Sequence, residues 1–97
     1  MRYEILLAPE AVEDLLWLSA RDRAAVRDAL EVHVRHGPKN VSRSRTKRLR
    51  GLRKPQYRLR VGEIRIFYDV TEDRVDVLAI IPKSAAAAWL EAEGASE

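Results

Sequence analysis

Apolar positions follow two different periods along this chain. Up to about residue 36 they recur every three to four residues. From about residue 57 they alternate or run together. The first period predicts helices and the second predicts strands. Tyr3–Leu7 (YEILL) is a short strand candidate, closed by Ala8-Pro9. Pro9 suits the first turn of a helix, where its missing N–H costs nothing. Glu10, Glu13 and Asp14 then suit the positive end of the helix dipole. Val12, Leu15, Leu16 and Leu18 form its apolar stripe. Ser19 opens a second helix, with Asp22 placed as in a weak capping box. Val26, Ala29, Leu30, His33 and Val34 line one face, and Gly37-Pro38 ends it. Two amphipathic helices with so short a break predict an antiparallel helical hairpin.

Residues 39–47 (KNVSRSRTK) lack any period and read as a basic loop. Four strand candidates follow: Arg48–Leu52, Tyr57–Val61, Ile64–Val70 and Val75–Ile81. The last is almost continuously apolar, which predicts a place at the centre of the sheet. After Pro82, Ser84 is expected to cap a short helix running to Glu93, with Gly94 as its stop. The expected order is β-α-α-β-β-β-β-α. That is an α+β fold: a helical hairpin packed on a mainly antiparallel sheet, with a short C-terminal helix, in one domain over residues 1–97.

Val61-Gly62-Glu63-Ile64 is the most informative tetrapeptide. A two-residue loop with Gly first predicts a type II′ hairpin. The register then follows. Val61 faces Ile64, Arg60 faces Arg65, Leu59 faces Ile66, and Arg58 faces Phe67. Alternation sends Tyr57, Leu59, Val61, Ile64, Ile66, Tyr68 and Val70 to one face, the core. It sends Arg58, Arg60, Arg65 and Phe67 to the other. Directly opposed arginines weaken a sheet, so their clustering asks for a counter-ion. Guanidinium groups suit bidentate phosphate binding, and Phe67 is expected to add a stacking surface for an unpaired base. This face is therefore expected to meet a polyanion, RNA above all.

Charge sharpens that picture. The 97 residues carry a net charge of only +3. Between Arg43 and Arg65, however, ten basic residues stand against Glu63 alone, a local +9. The remainder holds eight basic and fourteen acidic residues, a net of −6. Arg43, Arg45, Lys47, Arg48, Arg50, Arg53 and Lys54 are accordingly expected to steer nucleic acid, or else to dock an acidic partner peptide. There is no cysteine, so no thiolate nucleophile or cysteine zinc site. No apolar run reaches membrane-spanning length. Acidic residues interrupt any signal-peptide core near the start, so a soluble cytoplasmic location is expected. No cofactor or metal is expected. His33 and His36 share i,i+3 spacing near a helix end, where a core-edge residue and a C-terminal charge explain them better than a metal does. Trp17 and Trp89 are expected in helix packing.

The segment KRLRGLRKPQYRLRVGEIRIFYDV, Lys47 to Val70, resembles the RelE/ParE superfamily of bacterial toxin–antitoxin toxins. The likeness lies in the spaced L-x-G, Y-R-(apolar)-R-V-G and R-(apolar)-x-Y elements, and the expected order of elements fits as well. The resemblance implies an α+β toxin neutralised by a cognate antitoxin. In the RelE branch it implies ribosome-dependent mRNA cleavage; in the ParE branch, inhibition of DNA gyrase. Arg58, Arg60 and Arg65 match basic positions of the RelE pattern. Ser84 stands where that pattern has an arginine, and Leu90 where it has a tyrosine. Lys83 and Trp89 are one position away.

Cleavage through a 2′-hydroxyl needs a base, stabilisation of the phosphorane charge, and an acid. Arg58, Arg60 and Arg65 suit the charge stabilisation, and Lys83 is the candidate for proton transfer. Tyr68 falls on the core face. A RelE-like mRNA endonuclease acting on the ribosome is therefore expected. The alternatives are a gyrase inhibitor, favoured by the missing Arg/Tyr pair, and a non-catalytic member that only binds its antitoxin.

Overall fold

Pinning the hairpin register fixes the rest of the sheet. In the computed structural model, which describes residues 1–97, Tyr57–Val61 (β4) and Ile64–Val70 (β5) pair antiparallel with the predicted partners: Val61 with Ile64, Arg60 with Arg65, Leu59 with Ile66, Arg58 with Phe67. Gly62 has φ +58° and Glu63 keeps a negative φ, as a type II′ turn requires.

Chain order begins with β1 (Glu4–Leu7), α1 (Pro9–Trp17) and α2 (Ala20–Ala29). Ser19 caps α2, its Oγ accepting from the Asp22 N–H at 3.1 Å. Ser19→Ala is expected to cost about 1 kcal/mol, read as a lower urea midpoint at unchanged slope. The helix does not end regularly. Leu30–Val34 widens into a π-turn, with the Arg35 N–H donating to Leu30 O. Arg35 ties this end to the first strand: Tyr3 N donates to Arg35 O, and Arg35 Nη1 donates to Tyr3 O.

The five-stranded sheet continues with β2 (Thr46–Arg48) and β6 (Arg74–Pro82), in the spatial order β1-β6-β5-β4-β2. β1 runs parallel to β6 and every other pair is antiparallel. The most apolar run, β6, is interior but not central. β5 holds the centre because both of its faces are covered, and six of its seven residues are buried. The α1–α2 hairpin covers one face, and α3 (Lys83–Glu93) lies across the other. A bulge at Leu78 explains how β6 serves both. Phe67 pairs with Ala79 but Tyr68 pairs with Val77, so the strand's phase shifts by one residue. Val75, Val77 and Ile80 therefore all join the core, while Ala79 turns towards α3. Asp14 Oδ2 accepts the Ile80 N–H beside that bulge, at 3.0 Å, and anchors α1 to it.

Tyr68 is fully buried. Its hydroxyl donates to Pro38 O at 2.6 Å, and burial pushes its pKa well above the ordinary phenol value. Tyr68→Phe leaves a buried carbonyl unpaired, so a loss of about 1–3 kcal/mol is expected on thermal or urea unfolding.

Several expectations need correcting. The basic loop ends at Arg45, since Thr46 and Lys47 lie in β2 and Thr46 is buried opposite Leu59. Ser42 Oγ accepts from Arg45 N and Thr46 N, which turns the chain into that strand. Arg48–Leu52 is not one strand. A turn containing Gly51, at φ +76°, separates β2 from β3 (Leu52–Lys54). β3 then pairs with β7 (Ala95–Ser96), an element with no periodic signal. Ser84 does not cap α3. The helix starts at Lys83 after Pro82, and the Lys83 N–H donates to Glu63 O across the hairpin turn. Trp17 is 84% exposed, not packed. No helix is long and apolar enough to cross a membrane.

Candidate nucleic-acid interface

Strand alternation delivers the arginine face, but it does not treat the arginines alike. Arg60 is exposed. Arg58 is half-buried, with Nη2 reaching Ser44 O and Arg45 O at 3.3 and 3.4 Å, while its Nε is buried without a partner. Burial, then the charges of Arg65 and Arg60, hold its guanidinium below the usual arginine range. Arg45 joins it from the loop, and its Nε is likewise buried and unpartnered. The Arg45 carbonyl accepts the Arg60 N–H at 2.8 Å, which clips the loop onto β4.

Arg65 is different. It is only 7% exposed, and its Nη1 donates to Gly62 O at 2.8 Å and Ile64 O at 3.0 Å. Most of its donor capacity on that arm braces the hairpin turn. None of Arg43, Arg45, Arg58, Arg60 and Arg65 forms an ion pair with a carboxylate. Concentrated positive charge, partly desolvated and without an internal counter-ion, is an electrostatic demand for an anion.

The remaining basic residues divide by geometry. Lys47 pairs with Arg58 and shares its face. Arg48 pairs with Tyr57 and so falls on the opposite face. Its guanidinium lies 5.5 Å from the Tyr57 ring centroid and donates to Leu49 O and Gln56 O. It splints the strand ends rather than joining the cluster. Arg43 is exposed in the loop, and Arg50 at the turn. Arg53 and Lys54 are exposed on β3, and Lys54 borders a cavity with Trp89, Glu10 and Glu93. Lys83 stands at the start of α3, beside the hairpin tip.

Phe67 does not offer a stacking surface. It is 1% exposed and lies under Trp89, with ring centroids 5.0 Å apart and planes 14° from parallel. The aromatic that alternation put on the arginine face is the floor on which α3 rests. His33 lies at the widened end of the second helix. Burial first, and then the Arg45 charge, hold its pKa down.

The fold has recognisable counterparts. Residues 5–86 match the family described as ParE toxin of the type II toxin–antitoxin system parDE. No curated protein sequence gives a significant match. Among solved structures, the chain is similar to the toxin–antitoxin complex RelBE2 from Mycobacterium tuberculosis, with TM-score 0.69, 24% identity, and coverage of 84% of this chain and 99% of that one. It is also similar to the RelB–RelE complex from Methanococcus jannaschii, with TM-score 0.67, 20% identity and coverage of 87% and 96%. The archaeal RelE–RelB complex from Pyrococcus horikoshii gives TM-score 0.64, 24% identity and coverage of 86% and 97%.

Proposed function

The chain belongs to the RelE/ParE superfamily of type II toxin–antitoxin toxins, and from that premise we propose that it is a RelE-like ribosome-dependent mRNA endonuclease that inhibits translation. The observation that carries this reading is the cluster of Arg45, Arg58 and exposed Arg60, which no carboxylate neutralises. RNA phosphates are regularly spaced, doubly accepting and strongly charged, and they meet that demand. In this reading Arg58 and Arg60 bind the scissile region. Arg43, Arg45 and Lys47 extend the track along the strand edge. The ribosome supplies the positioning that a small, shallow site lacks. Its target places the protein in the cytoplasm.

The same face suits an antitoxin. Each of the three solved neighbours is a toxin–antitoxin complex. A partner segment with acidic side chains laid over the arginines would mask them by charge complementarity. Dissociation of that complex is expected to accelerate with salt, as screening weakens exposed charge pairs.

Mapping mRNA 5′ ends on ribosomes after induction tests the endonuclease reading. New ends inside coding sequence are the expected result, and their absence overturns it. A second reading, gyrase inhibition, draws on the family match to ParE toxins and on Ser84 and Leu90 standing where the RelE pattern has Arg and Tyr. Its expected signature is loss of supercoiling by purified gyrase with no new mRNA ends.

A further inference from the structure

Glu63 is the one acidic residue in the basic stretch Arg43–Arg65, and a hairpin turn does not require it there. The structure holds this residue with unusual thoroughness. The buried Arg65 guanidinium binds the carbonyls on both sides of it, Gly62 O and Ile64 O. Its own carbonyl accepts the Lys83 N–H at 2.7 Å. All three carbonyls of the segment 62–64 are therefore fixed, two of them by a side chain that is more than nine-tenths buried. A backbone held this firmly gives the side chain that projects from it a defined starting point, and a reacting group loosely held loses much of its advantage.

The position supplies the second half of the argument. Between the hairpin tip and the start of α3 lies a cavity of about 360 Å³ lined by Glu63, Pro82, Lys83 and Ser84. Neither the Glu63 carboxylate nor the Lys83 ammonium is committed to an ion pair. The opposed arginines Arg60 and Arg65 lie one residue pair below the turn, between Val61–Ile64 and Leu59–Ile66. A carboxylate and an ammonium thus line one opening at the end of the sheet that carries the opposed arginines.

We propose that Glu63 and Lys83 are the proton-transfer pair of this toxin, a proposal that rests on the endonuclease reading above. Glu63 takes the proton from the ribose 2′-hydroxyl. The 2′-oxygen then bonds to phosphorus, and the guanidinium groups hold the added negative charge. The bond from phosphorus to the 5′-oxygen breaks, and Lys83 gives that oxygen its proton. The products are a 2′,3′-cyclic phosphate and a 5′-hydroxyl, with no oxidant or external co-reactant. Arginines alone leave this step without a base, because guanidinium does not lose its proton at neutral pH.

The test uses full-length toxin, ribosomes and an mRNA with a single cleavage site. Its second arm carries a bridging sulfur in place of the 5′-oxygen at that site, since a thiolate leaves without a proton. With Glu63→Gln the single-turnover rate is expected to fall about 100-fold or more, with ribosome association unchanged. Lys83→Met is expected to fall similarly on the oxygen substrate and to recover on the sulfur substrate, whereas Glu63→Gln does not recover. Cleavage by Glu63→Gln within about threefold of wild type overturns the proposal, as does sulfur failing to rescue Lys83→Met. If the wild-type toxin itself leaves every ribosome-bound mRNA intact, the endonuclease reading falls first. Both side chains are exposed, so matching thermal melts are expected for all three proteins.

Discussion

Replacing Arg58 and Arg60 together by glutamate is expected to abolish toxicity and to lower affinity for single-stranded RNA by about 10²–10⁴, taking two charge-assisted contacts at about 1.5–3 kcal/mol each. Fluorescence anisotropy against a labelled oligonucleotide reads the loss. The slope of affinity against salt falls at the same time, because fewer counterions are released. The stability of the same variant is the discriminating measurement. Arg60 directly opposes Arg65, and Arg58 lies among like charges, so the wild-type sheet carries repulsion worth about 0.2–1 kcal/mol per pair. A carboxylate at position 60 turns one repulsion into an attraction. The variant is expected to melt at or above the wild-type temperature while losing binding. Unchanged RNA affinity at unchanged stability would sink the interface. Arg65 has a different role. It is buried against the turn carbonyls, so reversing it unfolds the hairpin and confuses loss of binding with loss of structure.

Phe67→Ala is expected to cost about 3–5 kcal/mol, the range for a fully buried aromatic truncated in a core that cannot collapse around the gap. Phe67 and Trp89 stack between β5 and α3, so the same change also detaches the last helix from its floor. Urea unfolding reads the cost, and Trp89 fluorescence in a Trp17→Phe background reports the helix. Phe67→Leu keeps most of the volume and is expected to cost about 1–1.5 kcal/mol. It is also expected to bind RNA as wild type does. A selective loss of RNA affinity in Phe67→Leu, with the helix still docked, would return this ring to the binding surface.

These two outcomes follow from one strand pattern read at two depths. Alternation along YRLRV and IRIFYDV put Arg58, Arg60, Arg65 and Phe67 on the face away from the main core, and the pairings are as expected. Sharing a face, however, says nothing of what lies on it. α3 crosses only the half of that face over β5 and β6, which buries Phe67 and leaves Arg60 open. Arg65, nominally equivalent to Arg60, is pulled into the turn. A distant helix and a backbone turn gave three neighbouring positions three different environments.

Other misreadings have the same origin. Arg48–Leu52 has strand-forming residues at both ends, but Gly51 adopts a left-handed φ and splits it. The second half then finds a partner some forty residues later, at Ala95–Ser96. The apolar run of β6 reads as a single face-to-face strand. The bulge at Leu78, steadied by Asp14 from α1, shifts its phase. A bulge leaves no mark on hydropathy, because it only chooses which of two apolar neighbours points inward.

What the sequence determines alone is local and periodic. Two helices ahead of Gly37-Pro38, the type II′ turn at Gly62, the register it forces and the clustering of basic residues all follow from spacings of a few residues. Those spacings act through backbone sterics and side-chain direction, which need no distant partner. What only the tertiary structure decides is which of those residues are free. The covering of Phe67 by Trp89 and the meeting of Glu63 with Lys83 join residues 22 and 20 positions apart, and Arg45 and Arg58 come together from 13 positions apart. Burial is a property of what packs above a side chain. That is set by where a strand ends and a helix returns, not by the residue's own neighbours in the chain.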